Sequence, residues 1–189
     1  MKITPIALIA GVLLLFTHFN AYSQDTAKNR SNIPRCYFVG FGFGGSSLGA
    51  FSAIANANVE IKNRWLLGLN FQGESKTALF DGHSENEVDV NTTNFLIGKI
   101  YKQPNTFVTI STGLSFAEVY TRDYNGGIFG SINNKRTRHT IGIPLVAQGY
   151  LVAFKAVGIG LSCYANLNTI QTTAGFNVNF ALGRMPTKR

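Results

Sequence analysis

Residues 65–74 read WLLGLNFQGE. Trp65, Leu67, Leu69 and Phe71 fall on one side of this stretch, and Leu66, Gly68, Asn70 and Gln72 on the other. A repeat of two is the signature of a β-strand, because successive side chains leave opposite faces of the chain. The same alternation returns at the end of the sequence, where Phe176, Val178, Phe180 and Leu182 oppose Asn177, Asn179, Ala181 and Gly183. It returns again in Val108, Ile110, Leu114 and Phe116 against Thr109, Ser111, Gly113 and Ser115, and in Val157, Ile159, Leu161 and Cys163 against Gly158, Gly160, Ser162 and Tyr164.

Working outward gives eight such runs, at 36–44, 50–61, 65–75, 92–102, 106–121, 139–152, 156–167 and 172–185. Their connections alternate in length. Lys62-Asn63-Arg64, Gln103-Pro104-Asn105 and Ala153-Phe154-Lys155 are tight, whereas 45–49, 76–91, 122–138 and 168–171 include the two longest. Short turns at one end and longer loops at the other, with an even strand count, is the pattern of an outer-membrane barrel. Most runs span 9–14 residues, and a tilted membrane-crossing strand needs roughly 9–11. The expected fold is therefore all-β: an eight-stranded antiparallel up-and-down transmembrane β-barrel over residues 36–185. Leu, Val, Ile and Phe would face lipid, and small or polar residues would face a narrow interior. Asn56, Asn58, Glu60, Asn70 and Gln72 are expected to plug that interior. Lys99 breaks the pattern by sharing the face of Phe95, Ile97 and Tyr101, and is expected to snorkel to the nearby interface.

Composition agrees. Hydrophobic residues make up 45% and charged residues 14%, with 20 Gly and 15 Phe but only 2 Met, a mix that suits strands and turns. Residues 1–23 read as a signal peptide: Lys2, then the apolar residues 6–16, then Ala21-Tyr22-Ser23 as the cleavage site. An apolar run of this length is too short to span a bilayer as a helix. Residues 24–35 are polar and aperiodic and are expected to form a flexible periplasmic leader, and 186–189 a C-terminal tail. Cys36 and Cys163 fall on runs that are not neighbours, so both are expected to be unpaired wall residues.

The net charge of +8 raises nucleic acid, membranes and lipopolysaccharide as partners. Its placement decides among them. Lys62, Arg64, Lys99, Lys102, Lys155 and Arg184 gather at the short-turn ends with the basic tails, opposed only by Asp25 and Glu60. That suits anionic head groups and argues against nucleic acid. The outer loops differ from one another. Loop 76–91 holds Asp81, Glu85, Glu87 and Asp89, whereas loop 122–138 holds Phe129 beside Lys135, Arg136 and Arg138. These last four are the candidate surface-contact residues, suited to lipid A phosphates or a protein partner. The plainer alternative is a clamp in which the cations pair with Glu85, Glu87 and Asp89.

The signal peptide, the eight runs, Ile143-Pro144-Leu145, Tyr164-Ala165-Asn166-Leu167-Asn168 and the closing residues 177–185 (NVNFALGRM) resemble the outer-membrane β-barrel domain family of Gram-negative bacteria. The resemblance implies an outer-membrane location with both termini periplasmic. It carries over no catalytic residue. The chain ends in Pro186-Thr187-Lys188-Arg189 rather than the terminal aromatic that many outer-membrane proteins use in assembly, a role in which Phe180 is the candidate substitute.

Catalytic and metal readings are weaker. His139 and Glu118 sit where adjacent strands would bring them together, but no Ser stands two residues from His139. Asp81, His83, Glu85, Glu87 and Asp89 alternate, which reads more simply as a solvated acidic loop than as a cation site. Gly40-Phe41-Gly42-Phe43-Gly44 lacks the Lys-Ser/Thr and helix of a phosphate loop and reads as small interior residues. The expected function is that of a monomeric, non-catalytic outer-membrane barrel without cofactor or metal. It would lie among lipopolysaccharide and phospholipid and contact an extracellular partner through its loops. A carrier of small or lipophilic molecules is the alternative, and a lipid A-modifying enzyme a more distant one.

The mature chain is expected to begin at Gln24 and to fractionate with outer membranes, its gel band shifting on boiling as closed barrels do. N-terminal sequencing and a heat-modifiability gel check this, and recovery as a soluble periplasmic protein would refute it.

Overall fold

The computed structural model describes residues 36–75, 86–124, 132–154 and 156–185. Eight strands run in chain order: β1 Tyr37–Ser46, β2 Phe51–Glu60, β3 Trp65–Ser75, β4 Asn86–Lys102, β5 Thr106–Tyr124, β6 Ile132–Phe154, β7 Val157–Asn168 and β8 Thr173–Arg184. Each pairs antiparallel with the next, and β1 closes on β8 from Tyr37 opposite Arg184 to Ser46 opposite Gly175. Closure leaves these strands without a free edge along their shared length, which is what a sheet needs if no water is available to its backbone.

Neighbouring residues tell the two faces apart. Phe176 is 62% exposed and Asn177 0%; Leu161 is 63% exposed and Ser162 1%. The apolar set therefore faces outward and the polar set inward, the reverse of a soluble barrel. Phe41 stacks on Phe180 outside the β1–β8 seam, with centroids 5.7 Å apart.

Inside, the expected plug is present. Asn56, Asn58, Glu60, Asn70 and Gln72 are all buried. Asn58 donates to Asn56 at 2.9 Å and Gln72 to Glu74 at 2.6 Å. Tyr164 reaches across the lumen from β7 and donates to Ser52 on β2 at 3.0 Å. Nearer the short turns the lumen changes character. Phe38, Phe107 and Tyr150 meet there with centroids 4.9–5.5 Å apart, among Leu66, Ile100 and Met185. Buried Glu60 pairs with Lys102 beside them.

Several expectations are corrected. Strands β4, β5 and β6 are 17, 19 and 23 residues long, so residues 86–91, 122–124 and 132–138 belong to strands rather than to loops. Their alternation was hidden because above the apolar belt neither face needs to be hydrophobic. Cys36 is not a wall residue: it is buried at the base of β1, while Cys163 on β7 is exposed, and both are free. Lys99 lies over the Trp65 ring, 4.0 Å from its centroid. Residues 1–35 and 186–189, and with them the signal peptide, leader and tail, lie outside the described residues.

The lumen is narrow enough that several glycines are required by space. A Cβ on Gly113 would stand 1.9 Å from the Phe95 carbonyl oxygen, whereas one on Gly45 would meet nothing closer than 4.0 Å. Gly113→Ala is therefore expected to cost about 1–3 kcal/mol through overpacking, and Gly45→Ala far less. Urea unfolding in lipid vesicles measures both; equal effects would contradict the packing described.

Candidate functional site

The long strands rise beyond their neighbours. Strand β7 ends where Asn168 pairs with Gly142, so β6 from Ile132 to Ile141 is paired with β5 alone among the described strands. The β3–β4 ladder reaches its last step where Glu74 faces Val90, and residues 86–89 continue past it against β5. The result is a three-stranded wall standing above the barrel on one side.

Its two faces carry different groups. In register across the outer face lie Asp89, Tyr120 and Thr137, and one step lower Asn91, Glu118 and His139. Below them Phe116 and Ile141 mark the upper limit of the apolar belt on this side. Tyr120 donates to Glu118 Oε2 at 2.6 Å, and His139 Nδ1 stands 3.5 Å from Glu118 Oε1. Ser75 donates to Asp89 at 2.7 Å. The hydrogen bond to Glu118 raises the Tyr120 phenol above its usual pKa, with burial adding to it. A shallow groove of about 320 Å³ runs past Asn91, Phe116, Glu118, His139 and Ile141.

The sequence thus brought His139 and Glu118 together correctly. A carboxylate on the imidazole is half of a hydrolytic triad. The remaining hydroxyl two residues from His139 belongs to Thr137 rather than to a serine. With the pair 70% and 46% exposed, it has the solvation of a surface ion pair.

The candidate contact residues divide. Arg136 and Arg138 are exposed and share one face of β6, opposite Thr121 and Val119. Val119 is buried on the lumen side, so the two arginines belong to the face that continues the lumen and stand over the barrel mouth. Lys135 takes the opposite face, with Thr137 and His139; its side chain and all of Phe129 lie outside the described residues. The run Lys135-Arg136 therefore does not form one patch, because neighbours on a strand point to opposite sides. In the clamp reading, Asp89 is on β4 and bonded to Ser75, and Glu85 lies outside the described residues. Sequence reasoning missed the aromatic base of the lumen. Phe38 is in phase with Gly40 and Gly42, Phe107 with Thr109 and Ser111, and Tyr150 with Gln148, and that phase was the available signal.

The arrangement of an outward apolar belt, an inward polar layer and eight closed strands defines the small outer-membrane β-barrels as the fold. No protein-family model and no curated protein matches the chain. Solved structures do. The attachment invasion locus protein Ail of Yersinia pestis is 10% identical with a TM-score of 0.56, over 80% of this chain and 99% of that one. Neisserial surface protein A is 13% identical at 0.55, over 80% and 97%. A major outer membrane protein from Thermus thermophilus is 10% identical at 0.57, over 78% and 98%. Ail has also been solved in complex with the heparin analogue sucrose octasulfate, in a structure 12% identical to this chain at 0.52, over 78% and 97%.

Glu118→Gln removes the charged acceptor and is expected to bring the Tyr120 pKa down toward its ordinary value near 10. Because the raised value means the folded state holds that proton longer, the wild type should still carry it where the variant has begun to lose it. Alkaline titration of ring-labelled tyrosine by NMR checks the shift; unchanged titration would remove the Tyr120–Glu118 bond from the account.

Proposed function

We propose that the chain is an integral outer-membrane protein, non-catalytic and monomeric, with both termini in the periplasm, whose raised β4–β6 wall contacts an anionic partner outside the cell. The observation that carries this reading is the position of Arg136 and Arg138. Both are exposed and share the face of β6 that continues the lumen rather than the lipid face. A guanidinium pair on one strand face suits phosphate or sulfate. The sulfated ligand bound by Ail supports the ligand class. His139, exposed on the outer face of the wall, suits contact with neighbouring lipopolysaccharide. Against a carrier stands the base of the lumen, where the Phe38, Phe107 and Tyr150 rings pack together buried beside the Glu60–Lys102 pair.

Replacing Arg136 and Arg138 together by Gln is expected to weaken binding of a sulfated saccharide at least tenfold, at about 1.5–3 kcal/mol per charge-assisted hydrogen bond lost. Lys135→Gln should change it little. Isothermal titration in detergent at two salt concentrations measures this, with the boiling shift on gels as the control for folding. Binding that survives the double change would move the contact away from the mouth.

A further inference from the structure

At the short-turn end of the barrel a second group of residues is left unexplained by the wall. Trp65 opens β3 and is the only tryptophan of the chain. Its register partner on β4 is Lys99, whose ammonium lies 4.0 Å from the centre of the ring. Tyr101, two residues further on the same face, is 52% exposed. Arg64 directly precedes Trp65, is exposed, and adopts a left-handed backbone with φ 64°. Asn63 before it is also left-handed. Asparagine tolerates that conformation readily; arginine gains nothing from it, so the turn holds a cation where a residue of lower backbone cost would fit.

Charge makes the group distinctive. Lys102, on the same strand as Lys99, turns inward and is neutralised by Glu60. Neither Lys99 nor Arg64 has a carboxylate within ion-pair distance among the described residues. Two cations without a described carboxylate partner, Lys99 on the outward face and Arg64 exposed in the turn that leads into Trp65, therefore accompany an indole and a phenol, ring types that settle at head-group depth. One step further from the short turns, Leu67 and Ile97 continue the apolar wall in register, where acyl chains would run.

We propose that Arg64, Trp65, Lys99 and Tyr101 form a binding site for the phosphate of an anionic glycerophospholipid in the leaflet next to the short turns. The Arg64 fork holds the phosphate oxygens and Lys99 supplies a second charge. The Trp65 ring keeps that ammonium from swinging away into water. The inference deepens the reading of the chain as a bilayer-spanning barrel and rests on it.

The lone tryptophan reports on its own surroundings. The mature chain is refolded into phosphatidylcholine vesicles containing a small fraction of either brominated phosphatidylglycerol or brominated phosphatidylcholine, and quenching of Trp65 is followed. Half-maximal quenching is expected at about a fivefold lower mole fraction of the anionic lipid, the factor that one well-placed cation near a membrane provides. With Arg64→Asn and Lys99→Gln combined, the two curves should coincide while the boiling shift on gels persists. Equal quenching in the wild type, or a preference that survives both changes, overturns the site alone. Absence of quenching by either lipid overturns the transmembrane reading and the site with it.

Discussion

A backbone in hydrocarbon has no water to bond with, so every N–H and C=O must find its partner within the protein. For a sheet this means closure, and in this chain closure is the pairing of β1 with β8 from Tyr37 to Ser46. Once eight strands close, the width of the lumen is set, and the inward residues must fit it. Gly42, Gly98 and Gly113 stand where a Cβ would collide with backbone oxygens. The asparagines fill the middle because they are compact and bond to one another, as Asn94 does to Asn70 and Asn58 to Asn56. The outward face is left to Leu, Ile, Val and Phe, which need only be apolar.

That division explains what was legible in the sequence. From Trp65 to Gln72 one face must suit lipid and the other a narrow polar lumen, so both constraints print on the chain with a period of two. Strand number, faces, the asparagine layer and the His139–Glu118 contact all follow from this alternation. The limit came where one constraint lapses. From Ile132 to Arg138 the apolar alternation stops, and the sequence there reads as a polar loop although the pairing with β5 continues. The aromatic base was obscured for a different reason. Phe107 precedes the outward Val108 at the very start of its strand, where the phase of a single ring carries little weight.

The distribution of charge follows the same logic. Buried Glu60 is matched by Lys102, which offsets the cost of an ion in a low-dielectric lumen, whereas buried Glu74 accepts a hydrogen bond from Gln72. Outside the belt no such matching is imposed. Arg136, Arg138, Arg64 and Lys99 remain turned toward the surroundings, two at each end of the molecule. No carboxylate among the described residues pairs with any of the four, which distinguishes them from the cation that belongs to the fold.

The unequal heights of the strands have a consequence for how the molecule meets its neighbours. Strand β1 passes to β2 through residues 47–50 and β7 to β8 through four residues, while β5 and β6 rise well beyond both. A cylinder with a level rim looks the same from every compass direction; one with a raised wall has a front and a back. Adjacent proteins and long sugar chains can crowd against the back of the wall without touching what it shelters. Among the described residues the low side carries no such wall, so in a densely packed surface the chain's rotation about its own axis decides what can reach the mouth.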